Sequence, residues 1–192
     1  VEASKISSGN VKLDMQVIDL VELVYQTSGE FNEKFEQKEL TIVTKLPKTA
    51  VLIHADGRQL YRVIENLYNN VAKYALEKTR VYVDISYVEE KVVFSIKNVS
   101  EHSLARENSN AGDLTERFIR GDSSRTTEGS GLGLSIAKSL TVLMGGVFDI
   151  KVDGDLFKAS ITFPQYADGN GSDAGTEDPV SEDDYVIEES ET

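Results

Sequence analysis

Apolar residues at helical and alternating spacings divide this chain into elements. From about Val17 to Lys38 the residues Val21, Val24, Phe31 and Phe35 recur near helical spacing. A second run, from about Asp56 to Leu76, sets Leu60, Val63, Ile64, Leu67 and Val71 on one face, with Asp56 as its N-cap. Alternation marks two strands, Val81, Val83, Ile85 and Tyr87, then Val92, Phe94, Ile96 and Asn98, paired as a hairpin through Glu89-Glu90. Shorter apolar runs predict strands near Val11 to Leu13, at Leu40 to Leu46 and at Val51 to His54. A third helix carries Leu134, Ile136, Ala137, Leu140 and Leu143 and ends at Gly145-Gly146. Beyond it, Asp153-Gly154 turns a last hairpin of Val147 to Val152 with Leu156 to Phe163. These elements predict an α/β fold: a two-layer sandwich, with a mixed sheet of about five strands covered on one face by three helices. The polar segment Val99 to Ser130 has no clear periodicity and is too long for an ordinary connection, which marks it as a functional loop or lid.

Candidate chemistry sits beside the second helix's apolar stripe, where Asn66, Asn70 and Lys73 share an adjoining face. Asparagine is a poor helix-interior residue, because its amide competes for backbone hydrogen bonds. Two on one stripe fit either a solvated face or a ligand site. The glycine run Gly129-Ser130-Gly131-Leu132-Gly133-Leu134 shifts the balance, since it places bare backbone at the N-terminus of the third helix. Outward N–H groups, the helix dipole and the missing Cβ atoms all favour a phosphate there.

Asn66 to Tyr74 resembles the N box of the sensor histidine kinases, and Gly129 to Leu134 with Ser135 to Lys138 resembles their second glycine box. Between them, Glu116-Arg117-Phe118-Ile119-Arg120-Gly121-Asp122 is similar to the phenylalanine-containing box of that family's ATP lid. The resemblance covers about residues 1 to 165. It implies the catalytic, ATP-binding domain of such kinases, in the superfamily that also holds gyrase and heat-shock chaperones. ATP and Mg²⁺ are then the implied cofactors. Asn70 would coordinate the metal and Asn66 help to hold it or its waters. Lys73 would meet a phosphate, Tyr74 line the base pocket, and Gly129, Gly131, Leu132, Gly133 and Leu134 cradle the phosphates. Arg120 would reach a terminal phosphate as the lid closes. Asn70, Lys73 and Arg120 are therefore the residues expected to serve catalysis.

One departure stands out at the first glycine box. Where the family has an aspartate that accepts from the adenine amino group, this chain has Asn98-Val99-Ser100. Loss of charge assistance predicts adenine binding weaker by ~1 to 2 kcal/mol. A flipped amide would also donate to a guanine carbonyl, which predicts reduced selectivity between the bases.

Composition bounds the rest. The chain has 192 residues, 40% of them hydrophobic, enough for one domain with its own core. Its net charge of −13 is uneven: residues 166–192 hold ten acidic and no basic residues, and the remainder carries only −3. Domain expectations follow: residues 1–10 as the end of a dimerisation and phosphoacceptor helix, 11–165 as the catalytic domain, and 166–192 as a disordered acidic tail. No nucleic-acid partner is expected. The resemblance implies a separate dimerisation/phosphoacceptor domain and a response regulator as partners. It also implies a membrane-anchored, dimeric parent with this part on the cytoplasmic side, itself monomeric. The chain has no run of about eighteen apolar residues, so it is not expected to span a membrane itself, and it begins at Val1 without a start methionine, so a fragment of a longer protein is expected. Its two histidines, His54 and His102, lie in no segment resembling a phosphoacceptor box. Two other readings stay open. One is a nucleotide-binding scaffold without transferase activity; the other is an ATPase of the gyrase or chaperone branch, for which Glu65 is the residue to test.

Overall fold

The computed structural model describes residues 12–101, 132–166 and 185–190. Along the chain these form β1 (Met15–Asp19), α1 (Leu20–Glu36), β2 (Thr41–Pro47), β3 (Leu52–Asp56), α2 (Gly57–Tyr74), β4 (Arg80–Val88), β5 (Lys91–Val99), α3 (Gly133–Leu143), β6 (Val147–Asp153), β7 (Leu156–Pro164) and β8 (Tyr185–Glu189). Six strands make one mixed sheet in the order β6-β7-β5-β4-β2-β8, in which only β2 and β4 run parallel. β1 and β3 form a separate antiparallel ribbon.

The side-chain period of two sorts the sheet into faces. Val81, Val83 and Ile85 of β4, Val92, Phe94 and Ile96 of β5, and Phe157, Ala159, Ile161 and Phe163 of β7 are buried. They join one core with Leu20, Val24, Phe31 and Phe35 of α1, Leu60, Ile64, Leu67 and Val71 of α2, and Leu134, Ala137 and Leu140 of α3. The result is the two-layer sandwich that the patterning predicts. Tyr68, fully buried, joins α2 to α1: its ring lies against Phe31 and Phe35, with centroids 5.3 and 6.0 Å away, and its hydroxyl bonds Ser28 Oγ at 2.6 Å. Burial pushes that phenol up to about 12, although the Ser28 bond pulls the other way.

Caps fix where the helices begin and end. Asp56 precedes α2, and its carboxylate accepts from Gln59 N at 3.0 Å and from Asp14 N at 2.9 Å, which ties the start of the ribbon to the helix. Burial acts to raise the Asp56 carboxyl, but backbone N–H groups of Asp14, Gln59 and Arg58, with the Arg58 charge, outweigh it and hold the group below its ordinary value. After α3 the chain turns through Gly145 at φ +83°, a left-handed conformation that glycine adopts without steric cost. A Cβ on Gly146 would stand 2.7 Å from the Phe163 ring, so this helix end packs directly on β7.

Three expectations need correction. The first strand lies at Met15–Asp19 rather than near Val11 to Leu13, and α1 starts at Leu20 rather than Val17. Val17 and Ile18 fit either period, and Asp19 decides between them: its carboxylate accepts from Val21 N at 3.0 Å and Val51 N at 3.1 Å, so the helix begins after it. The acidic tail is also not wholly without structure, because Tyr185–Glu189 adds β8 to the edge of β2. An edge strand is held through its backbone and so escapes the requirement for apolar burial on which the tail expectation rested.

Candidate nucleotide-binding site

The apolar stripe of α2 turns its neighbouring stripe partway out of the core, which leaves Asn66, Asn70, Lys73 and Tyr74 half-buried. Asn69 falls off this stripe, is exposed, and accepts from Lys34 Nζ at 3.2 Å, a tie between α1 and α2. Lys73 Nζ stands 5.1 Å from the centroid of the Tyr74 ring. This keeps the ammonium near the last turn of the helix.

Backbone bonds draw that last turn onto the end of β5. Leu76 N donates to Val99 O and Glu101 N donates to Tyr74 O, both at 2.9 Å, while Ala75 and Ser100 form an isolated bridge. Lys38 Nζ donates to the carbonyl oxygens of Lys73 and Ala75, each at 3.1 Å. It thereby satisfies acceptors that a helix C-terminus leaves open, in a location that favours a cation. Sequence reading missed this role, since Lys38 lies 35 positions from Lys73 and no local motif links them.

The corner so formed contains Asn98. It is 2% exposed and lies on the face of β5 that carries Val92, Phe94 and Ile96 toward the helices. Its Nδ2 donates to Val99 O at 2.9 Å, and its Oδ1, equally buried, has no hydrogen-bond partner among the described residues. A buried acceptor left unpaired costs roughly 1–3 kcal/mol, so a donor arriving there is rewarded. The Val99 bond also sets the amide: flipping it would press Oδ1 against the Val99 carbonyl. The orientation therefore opposes the guanine-accepting flip that the sequence alone left available.

α3 meets α2 at close quarters. A Cβ built on Gly133 would lie 3.0 Å from Asn66 Oδ1, and the Asn66 amide is itself held by Nδ2 donating to Arg62 O at 2.7 Å. The helix starts at Gly133, and its N-cap Leu132 makes no side-chain capping bond; Leu132 is 39% exposed and Leu134 is buried. Among the described residues no side chain caps its first-turn N–H groups, which lie beside the amide stripe of α2, where a phosphate group would find donors. The structure sets Gly133, with Leu132 and Leu134 beside it at the start of α3, against Asn66, and draws the end of α2, with Lys73 and Tyr74, onto the end of β5 that carries Asn98; Asn70 lies between them on the same stripe of α2. Arg120, Gly129 and Gly131 lie outside the described residues.

The donor set suits a nucleotide. An unpaired buried acceptor fits an exocyclic amine, uncapped helix amides fit phosphate, and carboxamides at the middle of the stripe fit a hard cation that phosphate oxygens also hold. Among the described residues no three His, Cys, Asp or Glu side chains gather to hold a metal by themselves.

Comparison with known proteins identifies the family and the fold. Residues 55–176 match the family model for the histidine kinase-, DNA gyrase B-, and HSP90-like ATPases. The chain belongs to that family. Within it, the chain is similar to sensor histidine kinases and corresponds to their ATP-binding catalytic domain. The sensor protein BasS of Salmonella typhimurium is 31% identical over 144 residues, which are 74% of this chain and 37% of BasS. The catalytic domain of the histidine kinase ThkA superposes with a TM-score of 0.68 at 20% identity, covering 80% of this chain and 97% of that one. Full-length ShkA in complex with AMPPNP superposes with a TM-score of 0.69 at 21% identity, covering 85% of this chain and 34% of that one. The chain spans less than half the length of the curated relatives it matches.

Proposed function

We propose that this chain binds Mg·ATP in the corner between α2, the end of β5 and the N-terminus of α3, and passes the γ-phosphoryl group to a histidine on a separate dimerisation domain, for relay to a response regulator. The observation that carries the reading is the close meeting of two motifs distant in sequence, with Gly133 set against the Asn66 amide. The AMPPNP bound to ShkA, whose fold this chain shares, supports the same reading.

Phosphoryl transfer asks a protein for positioning and charge neutralisation rather than covalent chemistry. Asn98 Oδ1 accepts from the exocyclic amine of adenine, and Tyr74 lines the base pocket. The first-turn amides of α3, with Gly129, Gly131 and Gly133 leaving room for the phosphates, receive the polyphosphate. Lys73 meets a phosphate oxygen from α2, and Arg120 from the lid. Asn70, aided by Asn66, holds Mg²⁺ through a carboxamide oxygen; the ion, when bound, neutralises charge on the phosphates. The partners are a dimerisation/phosphoacceptor domain and a response regulator. The parent is membrane-anchored and dimeric with this domain on the cytoplasmic side, and this chain alone is a monomer; among the described residues no helix is long and apolar enough to cross a membrane. In the domain division that goes with this reading, residues 1–10 end the dimerisation helix and 11–165 form the catalytic domain.

The test is transfer from γ-labelled ATP with Mg²⁺ to a purified dimerisation domain of the parent. Label that is acid-labile and alkali-stable on that domain, and absent when its histidine is replaced, is the expected result. ATP binding without transfer would favour the scaffold reading. Release of phosphate without an acceptor, abolished by Glu65→Gln, would favour the ATPase reading.

A further inference from the structure

The far edge of the sheet, beyond β4, is occupied by residues from the acidic C-terminal segment. Five residue pairs run antiparallel from Val43↔Glu189 to Pro47↔Tyr185. Ser190 N donates to Ile42 O at 2.9 Å, and Ile42 N donates to Ser190 Oγ at 2.8 Å. Bonded and non-bonded pairs alternate in an antiparallel ladder. Ile42, Thr44 and Leu46 are therefore the β2 residues whose backbone groups face β8, and Pro47 falls where no N–H is needed. The edge consequently offers a strand-shaped set of donors and acceptors.

Side chains around the edge are selective. Arg80 Nε stands 2.8 Å from Glu189 Oε1, and Lys45 Nζ lies 4.8 Å from the centroid of the Tyr185 ring. Glu188 is near enough to Tyr25 for its charge to add to burial in raising that phenol. Little apolar surface holds the strand in place: Ile187 is 65% exposed, Tyr185 and Val186 are half-buried, and Glu188 to Ser190 are exposed. Backbone pairing and exposed charge pairs of this kind are individually weak. Attachment to the same chain favours such pairing, since a short flexible tether corresponds to a local concentration of roughly millimolar order.

We propose that the edge of β2, with Arg80 and Lys45, is a binding site for an acidic extended peptide of the pattern aromatic-x-x-x-Glu-Ser, and that Tyr185–Ser190 is its resident, displaceable ligand. Affinity comes from main-chain pairing on the edge, and specificity from the two cations flanking it. The inference is independent of the nucleotide reading, because the site lies on the opposite side of β4 from β5.

The probe is a fluorescent peptide of residues 181–192, titrated by anisotropy into the full chain and into Glu188→Pro, which removes an N–H facing Thr44 and so frees the edge. Glu188→Pro is expected to bind the peptide at least ten-fold more tightly than the wild type, whose own strand competes. Adding Arg80→Glu to that variant should remove binding, and a peptide carrying Glu189→Lys should restore it. A far-UV spectrum and unfolding midpoint matching the wild type confirm that the variants fold. Equal binding by wild type and Glu188→Pro, no binding by a folded Glu188→Pro chain at millimolar peptide, or indifference to the Arg80 and Glu189 charge swap would each overturn the proposal.

Discussion

Substituting Gly133→Ala tests whether the glycine box is seated by the Asn66 amide. The new Cβ would lie 3.0 Å from Asn66 Oδ1 and 3.8 Å from Asn66 Cγ, the former a few tenths of an ångström inside ordinary contact. Asn66 has little room to retreat, because its Nδ2 is bonded to Arg62 O at 2.7 Å. Either the amide rotates and forfeits that bond, at about 0.5–1.5 kcal/mol, or the start of α3 moves away. Against this, alanine improves helix propensity over glycine by up to ~1 kcal/mol. The two effects nearly cancel in the unliganded chain, so the denaturant midpoint should imply a change within about 1 kcal/mol. Nucleotide binding has no such compensation, since both outcomes displace groups that the phosphates meet. A loss of ~1–2 kcal/mol, roughly five- to thirty-fold in Kd for Mg·ATP, is expected by calorimetry. Repeating the substitution on Asn66→Ala, where the obstruction is gone, should recover about 1 kcal/mol of that loss as coupling. An identical loss in both backgrounds would refute the reasoning, as would a drop in stability beyond ~3 kcal/mol.

Three further substitutions separate folding from binding. Asp56→Ala removes a cap and the acceptor for Asp14 N, and should cost about 2 kcal/mol by urea unfolding at neutral pH. Because the native Asp56 carboxyl is held below its ordinary value, its charged form contributes stability above the unfolded pKa of about 3.9 and loses it as pH falls through the lower native value. The gap between variant and wild type should therefore narrow below about pH 4; a gap that widens there contradicts the assignment. Asn98→Leu deletes an acceptor that nothing among the described residues satisfies, so stability should change by about 1 kcal/mol or less while ATP affinity falls about ten-fold. With the wild-type amide fixed by Val99, ATP should bind more tightly than GTP in direct titrations, and equal constants would mean that the amide flips. Tyr68→Phe leaves Ser28 without its partner and should cost ~1 kcal/mol in thermal unfolding, with Kd for ATP unchanged, although Tyr68 stands inside the asparagine motif.

The legible parts of the fold were those in which one periodicity admits one reading. The five apolar positions of α2, the alternation through β4 and β5, and the glycines after α3 each left no competing element. The boundary at β1 is ambiguous in sequence because Val17, Ile18, Leu20 and Val21 satisfy both periods, and the bonds that Asp19 accepts from Val21 N and from the distant Val51 N show where the strand ends. β8 was illegible for a different reason: composition measures what side chains can bury, whereas this strand is held by the backbone edge of β2. At the site, residue types were readable and their arrangement was not. Asn98 stood out as a departure, but its amide orientation is set by Val99 O. Lys38 gave no signal at all, because its partners are carbonyl oxygens at the far end of another helix.

The central claim is a nucleotide site built on the asparagine stripe of α2. Titrating Mg·ATP calorimetrically into the chain and into Asn70→Ala tests it most directly. Saturable one-to-one binding by the wild type, lost or weakened at least ten-fold in the variant at unchanged thermal stability, is the predicted result. No heat of binding from a folded wild type, or the same Kd for both proteins, would contradict it.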